Sequence, residues 1–222
     1  MFASLDRWLI TRLSVYLSSY GNWYADVEAL ATVNDNITGT VSLRLKDRVY
    51  TCTVVRGGLR GGVWRGRVVG GRGGLTKVLD PQFYTKISGT TILRDALQEA
   101  GEVLATSSNT TQLDGTLSFW TRSRRSAGAE IQALCEQVGI IWSALESGDV
   151  WVGNYQEKSF TGDYLLVDIF PEFSKIEVKL TSLDITPGML LRDERIDKII
   201  HKLVGEDFST EVYFESRVPF RQ

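Results

Sequence analysis

A single histidine, His201, sets the first limit on the chemistry this sequence could carry. A Ser-His-Asp or Cys-His arrangement would have to use it. Ile199 and Leu203 lie two residues to either side, so His201 shares their face of a strand and reads as a structural side chain. Cys52 and Cys135 are far apart, with no CxxC spacing and no histidine nearby, which predicts two buried reduced thiols rather than a disulfide or a zinc site. Glycoside hydrolysis needs only two carboxylates across a cleft. Asp163, Asp168, Asp193, Glu194 and Asp197 are the acids from which such a pair could be drawn. Arg192, Arg195 and Lys198 stand beside the later ones, which favours solvated turn residues with counter-ions. The expectation is of no enzyme, no cofactor and no metal.

The other chemically suggestive stretch is VVRGGLRGGVWRGRVVGGRGGL, residues 54–75, with nine glycines and five arginines. A Walker A loop would need Gly-Lys followed by Ser or Thr, and no Gly-Lys pair occurs. A dinucleotide fingerprint would need a long helix next, but LTKVLDPQFY reaches Pro81 too soon. Gly57, Gly58, Gly61, Gly62, Gly73 and Gly74 therefore read as structural turn residues between strands, as does the Pro187-Gly188 pair. Arg56, Arg60, Arg65, Arg67 and Arg72, with Arg122, Arg124 and Arg125 of RSRR, are candidate inter-subunit or lumen charges. With Trp64 or Trp120 as a stacking platform they would also suit nucleic acid. Against that reading, arginines flanking Trp64 on a strand point away from it.

These residues must be held by a mostly β framework. Trp23, Ala25, Val27 and Ala29 alternate with polar neighbours, as do Val41, Leu43 and Leu45, then Ile176, Val178 and Leu180, then Phe208, Thr210, Val212 and Phe214. Turns are expected at 34–36, Lys46-Asp47, Ser147-Gly148 and 205–207. TTILRDALQEAG predicts a helix with Ile92, Leu93, Ala96, Leu97 and Ala100 on one face, Thr90 or Thr91 as its cap and Gly101 as its stop. SAGAEIQALCEQVG predicts a second, through Ile131, Leu134, Cys135 and Val138, stopped by Gly139. Between them LDGTLSFWTRSRR reads as a strand, and IIWSALESGDVWVGNY as a hairpin. RIDKIIHKLV fits a strand or a short helix, and the turn after it favours a hairpin.

The composition, 43% hydrophobic and 23% charged over 222 residues with four prolines, is that of a folded chain with room for two or three compact units. No window approaches the roughly 18 uninterrupted apolar residues of a membrane helix. The N-terminal stretch lacks the order of a signal peptide, which predicts a mature protein made in a cytoplasm. The net charge of −2 hides an asymmetry. Residues 1–111 hold 13 Lys and Arg against 9 Asp and Glu, and residues 112–222 hold 12 against 18, so the halves carry +4 and −6. Such a division permits head-to-tail contact between copies.

The order of segments carries a resemblance that no single motif does. GTVSLRL, VYTCTVVRGG and WRGRVVGGRGGLTKVL are followed by YTKISGTTILRDALQEAG, then by RSAGAEIQALCEQVGIIWSALESGDVWVGNY, then by ITPGMLL and IDKIIHKLVGEDFSTEVYFE. This arrangement resembles the tail-hub, or baseplate-hub, proteins of tailed bacteriophages over nearly the whole chain. The resemblance implies an α+β, mainly β chain: two tail-tube-like β-barrel domains, at 1–87 and 158–222, with a small α/β domain at 88–157 between them. It implies a homotrimeric ring at the distal end of the tail tube, with tube or distal tail proteins and tip or fibre proteins as partners and transient contact with phage DNA in the channel. The chain would be assembled in the host cytoplasm and reside at the virion tail tip. A tail-associated cell-wall glycosidase and a nucleic-acid-binding β-barrel remain the alternatives.

Overall fold

The computed structural model describes residues 3–154 and 158–215. The expected segment boundary at 157, the end of the hairpin reading at Tyr155, and residues 216–222 of the third segment lie outside them. The chain is mainly β. In order it forms β1 (Ala3–Leu5), β2 (Trp8–Ser18), β3 (Tyr24–Leu30), β4 (Thr40–Leu45), β5 (Arg48–Arg60), β6 (Val63–Gly70) and β7 (Gln82–Ser88). There follow α1 (Gly89–Ala100), β8 (Thr116–Arg122), α2 (Ala127–Val138), β9 (Ile141–Ala144) and β10 (Val150–Gly153). The last part comprises β11 (Tyr164–Phe170), β12 (Lys175–Leu180), β13 (Leu190–Leu191), β14 (Glu194–Val204) and β15 (Asp207–Phe214).

Strands β1-β4-β5-β6-β3-β2 are hydrogen-bonded in that order, and β1 also pairs with β2, which closes a six-stranded barrel. Alternation decides what points inward. Leu13, Val15, Ala25, Val27, Leu43, Leu45, Cys52 and Val68 are buried, while the residues between them face out. β2 runs on past the barrel and pairs with β14 from Lys198↔Ser18 to Val204↔Arg12. The sheet then continues through β15 and β12 to β11. The ambiguous RIDKIIHKLV is thus a strand, its Ile199, His201 and Leu203 buried on the core face.

The helical unit sits against the barrel. α1 buries Ile92, Leu93, Ala96 and Leu97, and α2 buries Ile131, Leu134 and Cys135 against it. Both end at glycines in the left-handed region, Gly101 and Gly139, as the helix-stop chemistry requires. The α1 cap differs from expectation. Ser88, not Thr90 or Thr91, accepts the Thr91 amide, because Gly89 and Thr90 already belong to the first turn. β7, which the sequence places at the end of the first segment, pairs with β8 of the helical unit. The Ser147-Gly148 turn is part of a wider loop, closed by Leu145 N to Asp149 O at 2.8 Å. That loop docks on the barrel, where the Thr51 amide donates to Glu146 O at 2.7 Å.

Candidate functional site

The glycine-rich tract is a long hairpin arm followed by a loop, and its glycines do three different jobs. Gly61 and Gly62, at φ 60° and 76°, form the two-residue turn joining β5 to β6, the left-handed pair that a tight hairpin needs. Gly57 and Gly58 are a correction to the turn reading: both lie within β5. Gly57 stands opposite Gly66, and a Cβ on either would come within 2.3 Å of the Trp64 ring. The missing side chains make the floor on which the buried indole lies. Turn glycines and floor glycines look alike in composition, so the sequence alone could not separate them.

Gly73 and Gly74 form the third device. Gly73, at φ 98°, precedes a short 3₁₀ turn over Gly74–Thr76, and the backbone there curls around an anion. The Glu102 carboxylate accepts from the amides of Gly74 (2.7 Å), Arg72 (3.1 Å) and Leu75 (3.2 Å). A run of converging amides is the geometry that elsewhere binds phosphate. Here the anion is the protein's own buried side chain. Pro187 and Gly188 make the expected turn, with Gly188 at φ 88° and Met189 N donating to Thr186 O.

The arginines separate into distinct classes. On the outer face of the barrel, Arg67 donates through Nε and Nη2 to both oxygens of Asp26 at 2.8 Å and lies over the Tyr24 ring. Arg65 pairs with Glu28 at 3.0 Å. Arg72 reaches Asp149 at 3.0 Å and ties the loop to the β9–β10 hairpin. Arg56 and Arg60 are exposed on the β5 arm and make no ion pair among the described residues. Arg124 is exposed as well.

Arg122 corrects the surface-charge expectation, because it is buried at 2% exposure, donating to Asp80 O and pairing with Glu99. The Asp80 amide, more than Arg122, holds the Glu99 carboxyl below its usual range. Arg125 is held at 2.6 Å by Glu130, which is fully buried and also accepts from Trp120 Nε1. Trp120 is thereby tied into the helical unit. Neither Arg122 nor Arg125 offers a free charge to a neighbour.

The outer face of the barrel continues across β2 onto the later strands. Lys175 and Lys202 both grip Glu211, at 3.1 and 2.8 Å, and together they hold its carboxyl below the usual value despite its partial burial. On the core face, His201 Nδ1 lies 2.9 Å from Thr210 Oγ1. Burial, with a smaller push from the Lys46 charge, lowers its pKa to about 3, so it is neutral near pH 7. Both cysteines are unbridged, and burial pushes each thiol up to about 12, far from the reactive thiolate.

The acids are dispersed. Asp168 lies on β11, Asp193 occupies a turn at φ 64°, Glu194 begins β14, and Asp197 accepts from Ser19 Oγ. A cleft of about 940 Å³ opens where the barrel, the β9–β10 hairpin and the 186–189 turn meet, walled by Trp23, Tyr50, Trp151 and Met189. Among the described residues its one lining carboxylate, Glu146, is paired with Arg48 at 3.3 Å. Among the described residues no three His, Cys, Asp or Glu side chains gather as a metal site.

No protein-family model matches this chain, and no curated protein matches it in sequence. Solved structures do match. The tail protein of Neisseria meningitidis MC58 superposes with a TM-score of 0.64 over 97% of this chain and 96% of its own, at 10% identity. The 43 kDa tail protein of prophage MuSo2 from Shewanella oneidensis gives 0.63 over 96% and 97%, at 8% identity.

The fold is that of phage tail proteins. An Escherichia coli component of the type VI secretion system, described as structurally similar to the T4 tail proteins gp27 and gp5, matches 98% of this chain and 76% of its own, with TM-score 0.63 and 9% identity. The tail-protein fold therefore covers the barrel, the helical unit and the last strands together, in line with the resemblance read from segment order. At such identities what is shared is alternation, turns and pairing rather than particular side chains.

Proposed function

We propose that this chain is a structural component of a bacteriophage tail. It forms a homotrimeric hub ring at the distal end of the tail tube, joins tube to tip or fibre proteins, and lines the channel through which DNA leaves. The observation that carries this reading is the end-to-end match of one chain, barrel, helical unit and outer sheet together, to tail proteins. The chain is assembled in the host cytoplasm and resides in the virion.

The sheet face supports the conduit part of the proposal. From β6 to β12 most of its basic side chains already hold acids: Arg65 with Glu28, Arg67 with Asp26, Lys175 and Lys202 sharing Glu211, and Lys179 with Asp207, while Lys198 lies over the Tyr213 ring. A protein that grips DNA gains affinity by trading counterions for phosphates, which needs unpaired cations. A wall whose cations are mostly engaged by neighbouring acids is polar, wettable and weakly attractive, as passage requires. The same pairing argues against the nucleic-acid-binding barrel.

Mass spectrometry of purified virions tests the proposal. The chain should be present at a few copies per particle and should fractionate with tails after head removal. Its absence from particles would refute it.

A further inference from the structure

The cleft at the end of the barrel has no part in the tail reading. Where β2 finishes and β3 and β5 begin, Trp23 and Tyr50 meet edge to face at 5.3 Å and fill the barrel's end, at 4% and 2% exposure. Both line the cleft, and the Tyr50 hydroxyl takes no hydrogen bond among the described residues. Another wall carries Trp151 of β10. Its Nε1 donates to Ser107 O at 3.1 Å, and its ring packs against Gly153, where a Cβ would lie 3.0 Å from Cζ2. The indole is therefore fixed in place before anything binds, which lowers the cost of binding. Barrel mouths are common ligand sites, and about 940 Å³ lies within the usual span of such clefts.

We infer that this cleft binds a short, uncharged oligosaccharide. Seven of its lining side chains carry uncharged hydroxyl or amide groups, among them Ser107, Asn109, Ser143 and Asn154. Its charged groups among the described residues are Glu146, both of whose oxygens accept from Arg48 Nη1 at 3.3 Å, and Lys158. A phosphate or nucleotide is held by several cations, where this lining offers one. A lipid chain would strand the hydroxyls and amides away from water. An extended peptide adds to a free main-chain edge, and here the neighbouring backbone is already bonded: Gly21 to Trp142 and Ala144, Asn109 to Val152, Gly188 to Ile196.

A pyranose ring meets what is left. Its C–H face packs on an aromatic ring, and its hydroxyls donate and accept as Ser and Asn side chains do. Asn109 illustrates the match, because its Oδ1 accepts from the Thr111 amide at 3.1 Å and its NH2 is left to donate. Binding here is not cleavage. Glycoside hydrolysis takes two carboxylates, and Glu146 stands without a second one in the cleft among the described residues. The site adds a glycan contact to the proposed tail component and does not depend on it, since it belongs to the single chain.

The test is calorimetric titration of the purified chain with cellotetraose, with tetra-N-acetylchitotetraose and with a proline-rich peptide. At least one sugar should bind and the peptide should not; which sugar binds separates plain hexose from its N-acetylated form. Trp151→Ala should weaken sugar binding about tenfold. Because that indole also anchors the Ser107 loop, Asn109→Asp serves as a second variant: it keeps the acceptor for the Thr111 amide, removes the NH2, and should weaken binding severalfold at an unchanged melting temperature. Phe119→Ala, at an exposed aromatic outside the cleft, should leave the affinity as it was. Mass spectrometry should recover the sugar intact. The inference is overturned if neither sugar binds, if the peptide binds in their place, if both cleft variants bind as well as the unaltered chain, if Phe119→Ala removes binding, or if the sugar is cut. None of these results bears on whether the chain is found in virions.

Discussion

Gly57→Ala tests whether the glycines of the hairpin arm exist to seat Trp64. The added methyl would lie 2.3 Å from Trp64 Cζ2 and 2.6 Å from Cε2, with no backbone atom among its closest contacts. The indole is 4% exposed and cannot swing away without opening the barrel. Overpacking of this kind costs about 1–3 kcal/mol. For a chain of this size that lowers the melting temperature by about 2–4 °C per kcal/mol. Trp64→Leu removes the obstacle. In that background the same Gly→Ala change should be neutral or stabilising by up to about 1 kcal/mol, since alanine suits a strand better than glycine where space allows. Thermal and urea unfolding of the four proteins gives the coupling between the two positions, expected to exceed about 1 kcal/mol. An equal cost of Gly57→Ala in both backgrounds would refute the reasoning.

Four further outcomes follow from the same geometry. Glu102→Ala strands the amides of Arg72, Gly74 and Leu75 and should cost about 1–3 kcal/mol, with faster hydrogen exchange confined to residues 71–76, while Glu102→Gln costs less. Arg122→Ala should cost roughly 2–3 kcal/mol in urea unfolding, below the value for a fully buried pair because Glu99 is 29% exposed, whereas Arg124→Ala should stay within about 0.5 kcal/mol. His201 takes up its proton at about 3 when folded and near 6.5 when unfolded, so the unfolded chain binds more protons between these values and stability falls with falling pH in that window. From pH 6.5 to 5 this amounts to about 2 kcal/mol, and His201→Gln should flatten that slope. Fluorescence titration with duplex DNA should give weak binding and a shallow salt slope, whereas a steep loss of affinity with salt would restore the nucleic-acid-binding reading.

Much of the framework was legible because it is written locally. Ala25 and Val27, Val41 and Leu43, and Phe208, Thr210 and Val212 face the core as their alternation requires, and α1 and α2 run to their expected glycine stops. What was hidden depends on partners distant in sequence. Nothing near Ser18 announces that β2 extends beyond the barrel to pair with β14, yet that pairing joins the two parts of the sheet. Arg122 resembles Arg124 in sequence, and only the Asp80 carbonyl and Glu99 bring it inside. The glycine tract does hold an anion-binding curl, but the occupant, Glu102, follows the helix after it and satisfies the loop from within.

Electron cryomicroscopy of intact tails addresses the central claim most directly. The account predicts three copies of this chain around the axis at the distal end of the tube, with the outer face of the β6-to-β12 sheet toward the channel. Density for the chain off the axis, in any other number of copies, or with that face turned to solvent outside the tail would contradict it.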